Sequence, residues 1–226
     1  MFNWKAAVVV ISLEWLPTLA FESHVVVWKS SYVLPSDSQN AIKSWTGMDL
    51  KIFNDSQCQE MANRHYCYGY NRSDIMNIMR ADLCRYMALY ENGGIYSDLD
   101  VTLKIPFSGN CKGLCVGREY SDKNTIANYC FMAPKFDSCL LKAIRYCCKN
   151  LATVKMDFTK DPHLIHHSCG PDAFTKAVSG CARHVWPHNQ FSRHVHHAVA
   201  SSSWHNYPSW IEERKNRAGW RDKYQY

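Results

Sequence analysis

Apolar positions along this chain change their spacing from one stretch to the next. Ile75, Ile78, Met79, Leu83, Tyr86, Met87 and Tyr90 recur at three- and four-residue steps, which predicts an amphipathic helix. Ser73 or Asp74 can cap its start, and Asn92-Gly93-Gly94 can end it in the left-handed conformation that glycine tolerates. A strand must follow at once, and Ile95 to Val101 supplies it, with Pro106 closing the segment. Upstream, the Val-rich run His24 to Trp28 predicts a strand, and Trp45 to Phe53 a second, weaker one. Leu114 to Gly117 and Tyr129 to Met132 read as further short strands. Asp137 or Ser138 caps a helix through Asn150, and Gly170-Pro171-Asp172 opens another that Gly180 can stop. Val185-Trp186 and Val195 to Ala200 are late strand candidates, before a charged final helix at Ser209 to Arg217. Strands alternating with helices predict an α/β domain with a largely parallel sheet.

Composition narrows the class. With 46% hydrophobic and 20% charged residues in 226, the chain can bury a core, and disorder or collagen is excluded. Its net charge of +6 is scattered and forms no basic stripe outside Arg214 to Arg221, which weakens a nucleic-acid module. Eleven cysteines is an odd number, so at least one thiol is free or pairs with another chain. Cys58 with Cys67 and Cys111 with Cys115 are possible pairs. The compartment is open, with the lumen of the ER or Golgi favoured over the cytoplasm. Residues 1–23 form an N-terminal extension in which Lys5 precedes the apolar run Ala6 to Leu13, as in a signal or short anchor; Glu14 and Pro17 interrupt it, and Ala6 to Ile11 fits a buried strand equally. Residues 24–210 read as one domain and 211–226 as a charged tail.

The densest chemistry lies in Ala81 to Tyr86 and Asn92 to Asp100. On an extended segment Tyr96, Asp98 and Asp100 would share one face, which forces two carboxylates together. Like charges so placed call for a cation, and an oxygen-rich donor set favours Mn²⁺ or Mg²⁺, which in turn binds phosphate oxygens. The bare Asp-x-Asp triplet arises by chance about once in a chain like this, so its surroundings must carry the argument. On the preceding helix Asp82 and Arg85 stand three apart. They read either as a surface ion pair or as contacts to sugar and ribose hydroxyls.

The whole string Ala-Asp-x-x-Arg-Tyr (81–86) followed by Gly-Gly-x-Tyr-x-Asp-x-Asp (93–100) resembles the signature of Asp-x-Asp-motif sugar transferases. That group includes yeast-type initiating α-1,6-mannosyltransferases, capsular polysaccharide sugar transferases and, more distantly, glucosylating clostridial toxins. His24 to Ser30, Trp45 to Asp55, Cys169-Gly170-Pro171, His196-His197 and Ser203-Trp204 are similar to flanking parts of the same pattern, so the likeness spans about residues 24–210. It implies a GT-A fold, a nucleotide-diphosphate sugar donor, a glycan or glycolipid acceptor and retention at the anomeric carbon. It further implies that Trp28 stacks on the base, that Asp82 and Arg85 hold donor hydroxyls, and that Tyr96 lines the ribose. Asp98 would contact donor and metal, Asp100 and His197 would ligate the metal, and Ser203 and Trp204 would fold over the diphosphate. His196 competes with His197, because the closing segment is one residue longer than the pattern. Cys169 stands where the family has Thr.

Two rivals use other residues or the same fold. His163, His166, His167 and Cys169 with Cys147-Cys148 could supply a tetrahedral zinc site, although no Cys-x2-Cys knuckle accompanies them. A catalytically silent sugar binder would keep the fold but has no use for a charge-neutralising metal.

Overall fold

The computed structural model describes residues 22–28, 34, 36–107, 111–121, 123–157, 160–161 and 163–198. The Ser203-Trp204 pair, the helix expected at Ser209 to Arg217 and nearly all of the N-terminal extension lie outside them. In chain order the strands are β1 (Ser23–Val27), β2 (Asp49–Phe53), β3 (Gly94–Ser97), β4 (Val101–Leu103), β5 (Cys115–Arg118), β6 (Ile126–Ala133), β7 (His184–Trp186) and β8 (Val195–His197). The helices are α1 (Ser36–Lys43), α2 (Asp55–Arg64), α3 (Asn77–Asn92), α4 (Ser138–Thr153), α5 (Leu164–Ser168), α6 (Pro171–Val178) and α7 (His188–His194).

Six strands form one sheet in the order β2-β1-β3-β6-β5-β7, and β4 pairs with β8 in a separate two-stranded ribbon. Within the large sheet β1 is parallel to β2 and β3, and β5 is parallel to β7, while β6 runs antiparallel to both its neighbours. The sheet is therefore largely parallel with one reversed strand, and the carboxyl ends of β1, β2, β3, β5 and β7 share an edge.

Side chains alternate between the two faces as strand geometry demands. Tyr96, Val116 and Phe131 pack with α2, α3, α4 and α6 residues in one core, whereas Ile95, Cys115 and Met132 pack with Trp45, Phe191 and Val195 in the other. Tyr86 stacks on Phe174 with ring centroids 4.8 Å apart, which ties α3 to α6 inside the larger core. Four disulfides staple these layers. Cys58–Cys84 joins α2 to α3, Cys67–Cys148 joins the turn after α2 to α4, Cys139–Cys181 links α4 to the segment after α6, and Cys111–Cys115 closes a short loop at β5. Cys58 and Cys67, a possible pair by sequence, do not join, because α2 turns Cys58 toward α3 and carries Cys67 past its end to α4.

Four helices were not expected from the apolar pattern; two of them, α5 and α7, are only five and seven residues long, too short to repeat a stripe. α1 is mostly polar, with Ser38 and Ala41 buried, so it leaves little periodicity. α2 does carry a local signal: Asn54 accepts from the Gln57 amide at 3.0 Å and the Gln57 side chain accepts from the Asn54 amide at 3.0 Å, a reciprocal cap. Conversely, α3 begins later than expected. Asp74 is held by Arg72 at 2.6 Å, so Ser73 and Asp74 belong to the preceding turn and do not cap α3.

The junction from α3 to β3 depends on two glycines. Gly93 and Gly94 sit at φ +67 and +108, and a Cβ on Gly94 would lie 2.3 Å from the Ser23 carbonyl oxygen. Both the backbone angle and the approach of β1 exclude a side chain there. Gly94→Ala is expected to lower stability by more than about 1 kcal/mol, read as a fall in the urea midpoint; an unchanged midpoint would show that β1 can yield at no cost.

Candidate functional site

β3 is shorter than expected. It ends at Ser97, where its pairing with β6 stops; the Asp98 amide then donates to the Tyr129 carbonyl at 2.7 Å, and the Val101 amide donates back to the Asp98 carbonyl at 3.1 Å. Asp98 and Asp100 therefore lie on a turn between β3 and β4. They do not alternate along one strand face, as the extended reading had them. The turn still converges them. Asp98, Asp100 and His197 each offer a ligand atom, all within 4.8 Å of one another.

His197 arrives from nearly a hundred residues away through the ribbon. Val101 pairs with His197 across β4 and β8, and the Ala198 amide donates to the Asp100 carbonyl at 3.1 Å. The Trp45 indole fixes the same ribbon by donating to the Val101 carbonyl at 3.0 Å. His197 Nε2 sits 3.4 Å from Asp100 Oδ2, and its ring stacks on Tyr129 at 4.0 Å. His196, the neighbouring candidate, is exposed on the other side of the strand.

Behind the turn lies a buried polar network. The Arg85 guanidinium is within 3.1 Å of Asp82 and 3.0 Å of Asp98, and it donates to the Asn128 carbonyl at 2.9 Å. Asn128 in turn donates to Asp82 at 3.0 Å and to the Tyr86 hydroxyl at 3.2 Å. Tyr96 donates its hydroxyl proton to Asp98 at 2.5 Å. Asp82 and Arg85 are 4% and 8% exposed, so the surface-pair reading of their spacing fails. α3 presents them to the sheet, not to water.

Asp82, Asp98 and Asp100 bring three carboxyl groups together with one guanidinium, that of Arg85. Asp100 is 6% exposed, and neither of its carboxylate oxygens has a hydrogen bond in good geometry; the His197 approach at 3.4 Å is the nearest substitute. A buried carboxylate in that condition costs free energy unless a cation meets it. Burial pushes the Asp98 carboxyl above its ordinary range, and the Asp100 charge adds to that, while Arg85 opposes both. For His197, burial favours the neutral ring, yet Asp100, Asp98 and Glu119 together outweigh it and raise its pKa. These residues fit a divalent metal with oxygen and imidazole ligands.

Beneath the turn, His24 is buried on β1, stacked on Trp45 at 4.5 Å and bonded to the Ser97 hydroxyl at 2.7 Å. Burial lowers its pKa from 6.5 to about 4. Between those values the unfolded chain binds a proton that the folded chain refuses, so stability falls as pH drops through the window. Unfolding at pH 4.5 is expected to cost about 2 to 3 kcal/mol less than at pH 7 from this group alone. His24→Asn should flatten that component, and an equal slope in the variant would assign it elsewhere.

Trp28 follows β1 at the same carboxyl edge; its amide donates to the Phe53 carbonyl at 2.8 Å and its side chain is half-buried. The zinc rival does not assemble. Cys148 is bound to Cys67, Cys147 and Cys169 are buried, and His167 is held by Asp161 at 3.0 Å; among the described residues the grouped metal donors are Asp98, Asp100 and His197. Asn128, Tyr129 and Ser97 carry no motif in the sequence, and His24 enters it only as the start of the Val-rich strand. The antiparallel register of β6 with β3, Ser97 opposite Cys130, is what places Asn128 and Tyr129 here.

Residues 20–131 match the family described as the glycosyltransferase sugar-binding region containing the DXD motif. Seven solved chains match this one in structure. One of them, the PaToxG glycosyltransferase, superposes with a TM-score of 0.52 at 16% identity, covering 71% of this chain and 69% of that one. At that identity the likeness is one of fold, the GT-A arrangement. No curated protein matches the chain. The matched segment runs from the approach to β1 into β6 and contains the network, the turn and both of its aspartates, and the chain belongs to the family of DXD-motif glycosyltransferases.

Proposed function

We propose that this chain moves a sugar from a nucleotide-diphosphate donor to a hydroxyl of a glycan or glycolipid acceptor, with retention at the anomeric carbon. The observation that carries the reading is the convergence of Asp98, Asp100 and His197 within 4.8 Å around a buried carboxylate that lacks hydrogen bonds. These three side chains would hold Mn²⁺ or Mg²⁺, which supplies charge to offset that of a departing nucleotide diphosphate.

The chain's own groups do the positioning. Tyr96 and Arg85 both bind Asp98 and fix its carboxylate at the turn, so no reorganisation is needed when donor arrives. Asp82 is already bonded to Arg85 and Asn128, so its second role, toward donor hydroxyls, uses whatever acceptor capacity those bonds leave. Trp28, at the edge beyond β1, offers an indole for the base, and Ser203 with Trp204 would close over the diphosphate. Four disulfides support an oxidising compartment, and we place the protein in the ER or Golgi lumen on that ground. No helix among the described residues is long and apolar enough to cross a membrane.

A panel of nucleotide sugars incubated with Mn²⁺, with and without acceptor glycans, tests the reading through released nucleotide diphosphate. Metal-dependent release with at least one donor is the expected result. Donor binding without release under any condition would instead favour the silent sugar binder.

A further inference from the structure

The sequence holds two Asn-x-Ser triplets with a middle residue other than proline, Asn54-Asp55-Ser56 and Asn71-Arg72-Ser73. Such a triplet is the acceptor pattern for N-linked sugar, and it is too short to decide its own use. The fold treats the two differently. Asn54 is half-buried and caps α2, its side-chain oxygen accepting from the Gln57 amide at 3.0 Å. It directly follows Phe53, whose carbonyl accepts from the Trp28 amide at 2.8 Å, so a sugar on Asn54 would crowd the sheet edge where Trp28 stands.

Asn71 ends a single 3₁₀ turn, Tyr68–Asn71, between α2 and α3. Residues three apart in such a turn eclipse one another, so Tyr68 and Asn71 share a face. Gly69 and Tyr70 form the inward side. A Cβ on Gly69 would lie 2.3 Å from the Leu151 backbone, and Tyr70 is buried. The outward side is open: Tyr68 is 79% exposed, and Asn71 and Ser73 are exposed with it. Both ends of the turn are fastened. Cys67 is bonded to Cys148 before it, and after it Arg72 is held by Asp74 at 2.6 Å and by the Leu151 carbonyl at 2.9 Å. The Asn71 amide nitrogen comes no nearer to the Asn63 side-chain oxygen than 3.5 Å, so it is held weakly.

Tyr68 is a second observation on the same face. Its ring stands in water beside that of Tyr66, itself 73% exposed, with centroids 6.5 Å apart. Two large rings left open beside an acceptor asparagine are suited to a pyranose, whose C–H face packs on an aromatic face while its hydroxyls stay hydrated.

We propose that Asn71 carries an N-linked oligosaccharide whose first sugar lies on the Tyr68 ring. The proposal rests on the lumenal placement above and not on the glycosyl-transfer reading. An oligosaccharyltransferase of that compartment supplies the catalysis. Asn71 Nδ2 forms a bond to the anomeric carbon of a polyprenyl-diphosphate-linked oligosaccharide, the bond from that carbon to the diphosphate oxygen breaks, the lipid diphosphate leaves, and the amide gives up one proton.

The test expresses the full chain in eukaryotic cells, once with its own N-terminus and once behind a cleavable secretion signal, and measures mass before and after peptide-N-glycosidase. Both forms should carry a glycosidase-sensitive increase that Asn71→Gln abolishes and Asn54→Gln leaves in place. An increase that survives in Asn71→Gln, or none in the signal-driven chain, overturns the site. An increase confined to the signal-driven chain overturns the lumenal placement and with it the glycan on the natural protein. The glycosylated protein should melt at least about 2 °C above the glycosidase-treated one. In Tyr68→Ala the glycan should remain attached and that difference should vanish; an equal difference would overturn the contact with Tyr68.

Discussion

Asp100→Asn is expected to lower metal-dependent release of nucleotide diphosphate at least about a hundredfold without unfolding the chain. The amide keeps the shape but removes a charge that is buried and poorly bonded. Two readouts separate this from general damage. In chelator the variant should be as stable as the wild type or more so, because one repulsive neighbour of Asp98 is gone. With Mn²⁺ at about a hundred times its dissociation constant, the wild type should gain about 2.7 kcal/mol of stability and the variant almost none. Wild-type turnover in Asp100→Asn would remove the metal from the mechanism, and an undiminished stability gain would move its site away from the turn.

Arg85→Gln is expected to produce the largest loss of stability, about 3 to 5 kcal/mol. Arg85 is the one guanidinium between Asp82 and Asp98, and without it two carboxylates stay buried with no adjacent cation. Its large effect is not evidence that the ion triad is the most stable filling for that space, since an apolar replacement of the whole set can be neutral. It follows from leaving partners unpaired. Arg85→Lys should recover part of the loss, because a single ammonium cannot span Asp82, Asp98 and the Asn128 carbonyl in the way the planar fork does. Urea unfolding of the three proteins checks this; a loss under about 1 kcal/mol in Arg85→Gln would mean that the carboxylates are hydrated or protonated in the variant.

The same network shows why neighbouring residues were legible to different degrees. Asp82 and Arg85 stand out in the sequence by motif, and their three-residue spacing correctly puts them on one helical face. Spacing says nothing about what that face meets. Asn128 completes the network, yet it sits in an unremarkable strand and reaches Asp82 only because β6 runs antiparallel beside β3. The alternation argument for Asp98 and Asp100 brought the right side chains together through the wrong local geometry. It assumed that an apolar run stays extended, whereas pairing with β6 ends at Ser97 and the backbone turns.

What the sequence determined by itself is whatever short-range hydrogen bonds and spacing control. The α3 stripe, the glycine pair that stops it, the Asp137 cap on α4 and the proline that opens α6 all belong to this class. So does the Asp-x-Asp string that marks the family. Tertiary structure decided what depends on which distant segments meet. It chose His197 over His196 by the register of β8 on β4, set the cysteine pairs by the way α2, α3 and α4 face one another, and buried the Asp82–Arg85 pair under the turn. A one-residue change of register reverses which side chain faces inward, and no local pattern fixes register across nearly a hundred residues.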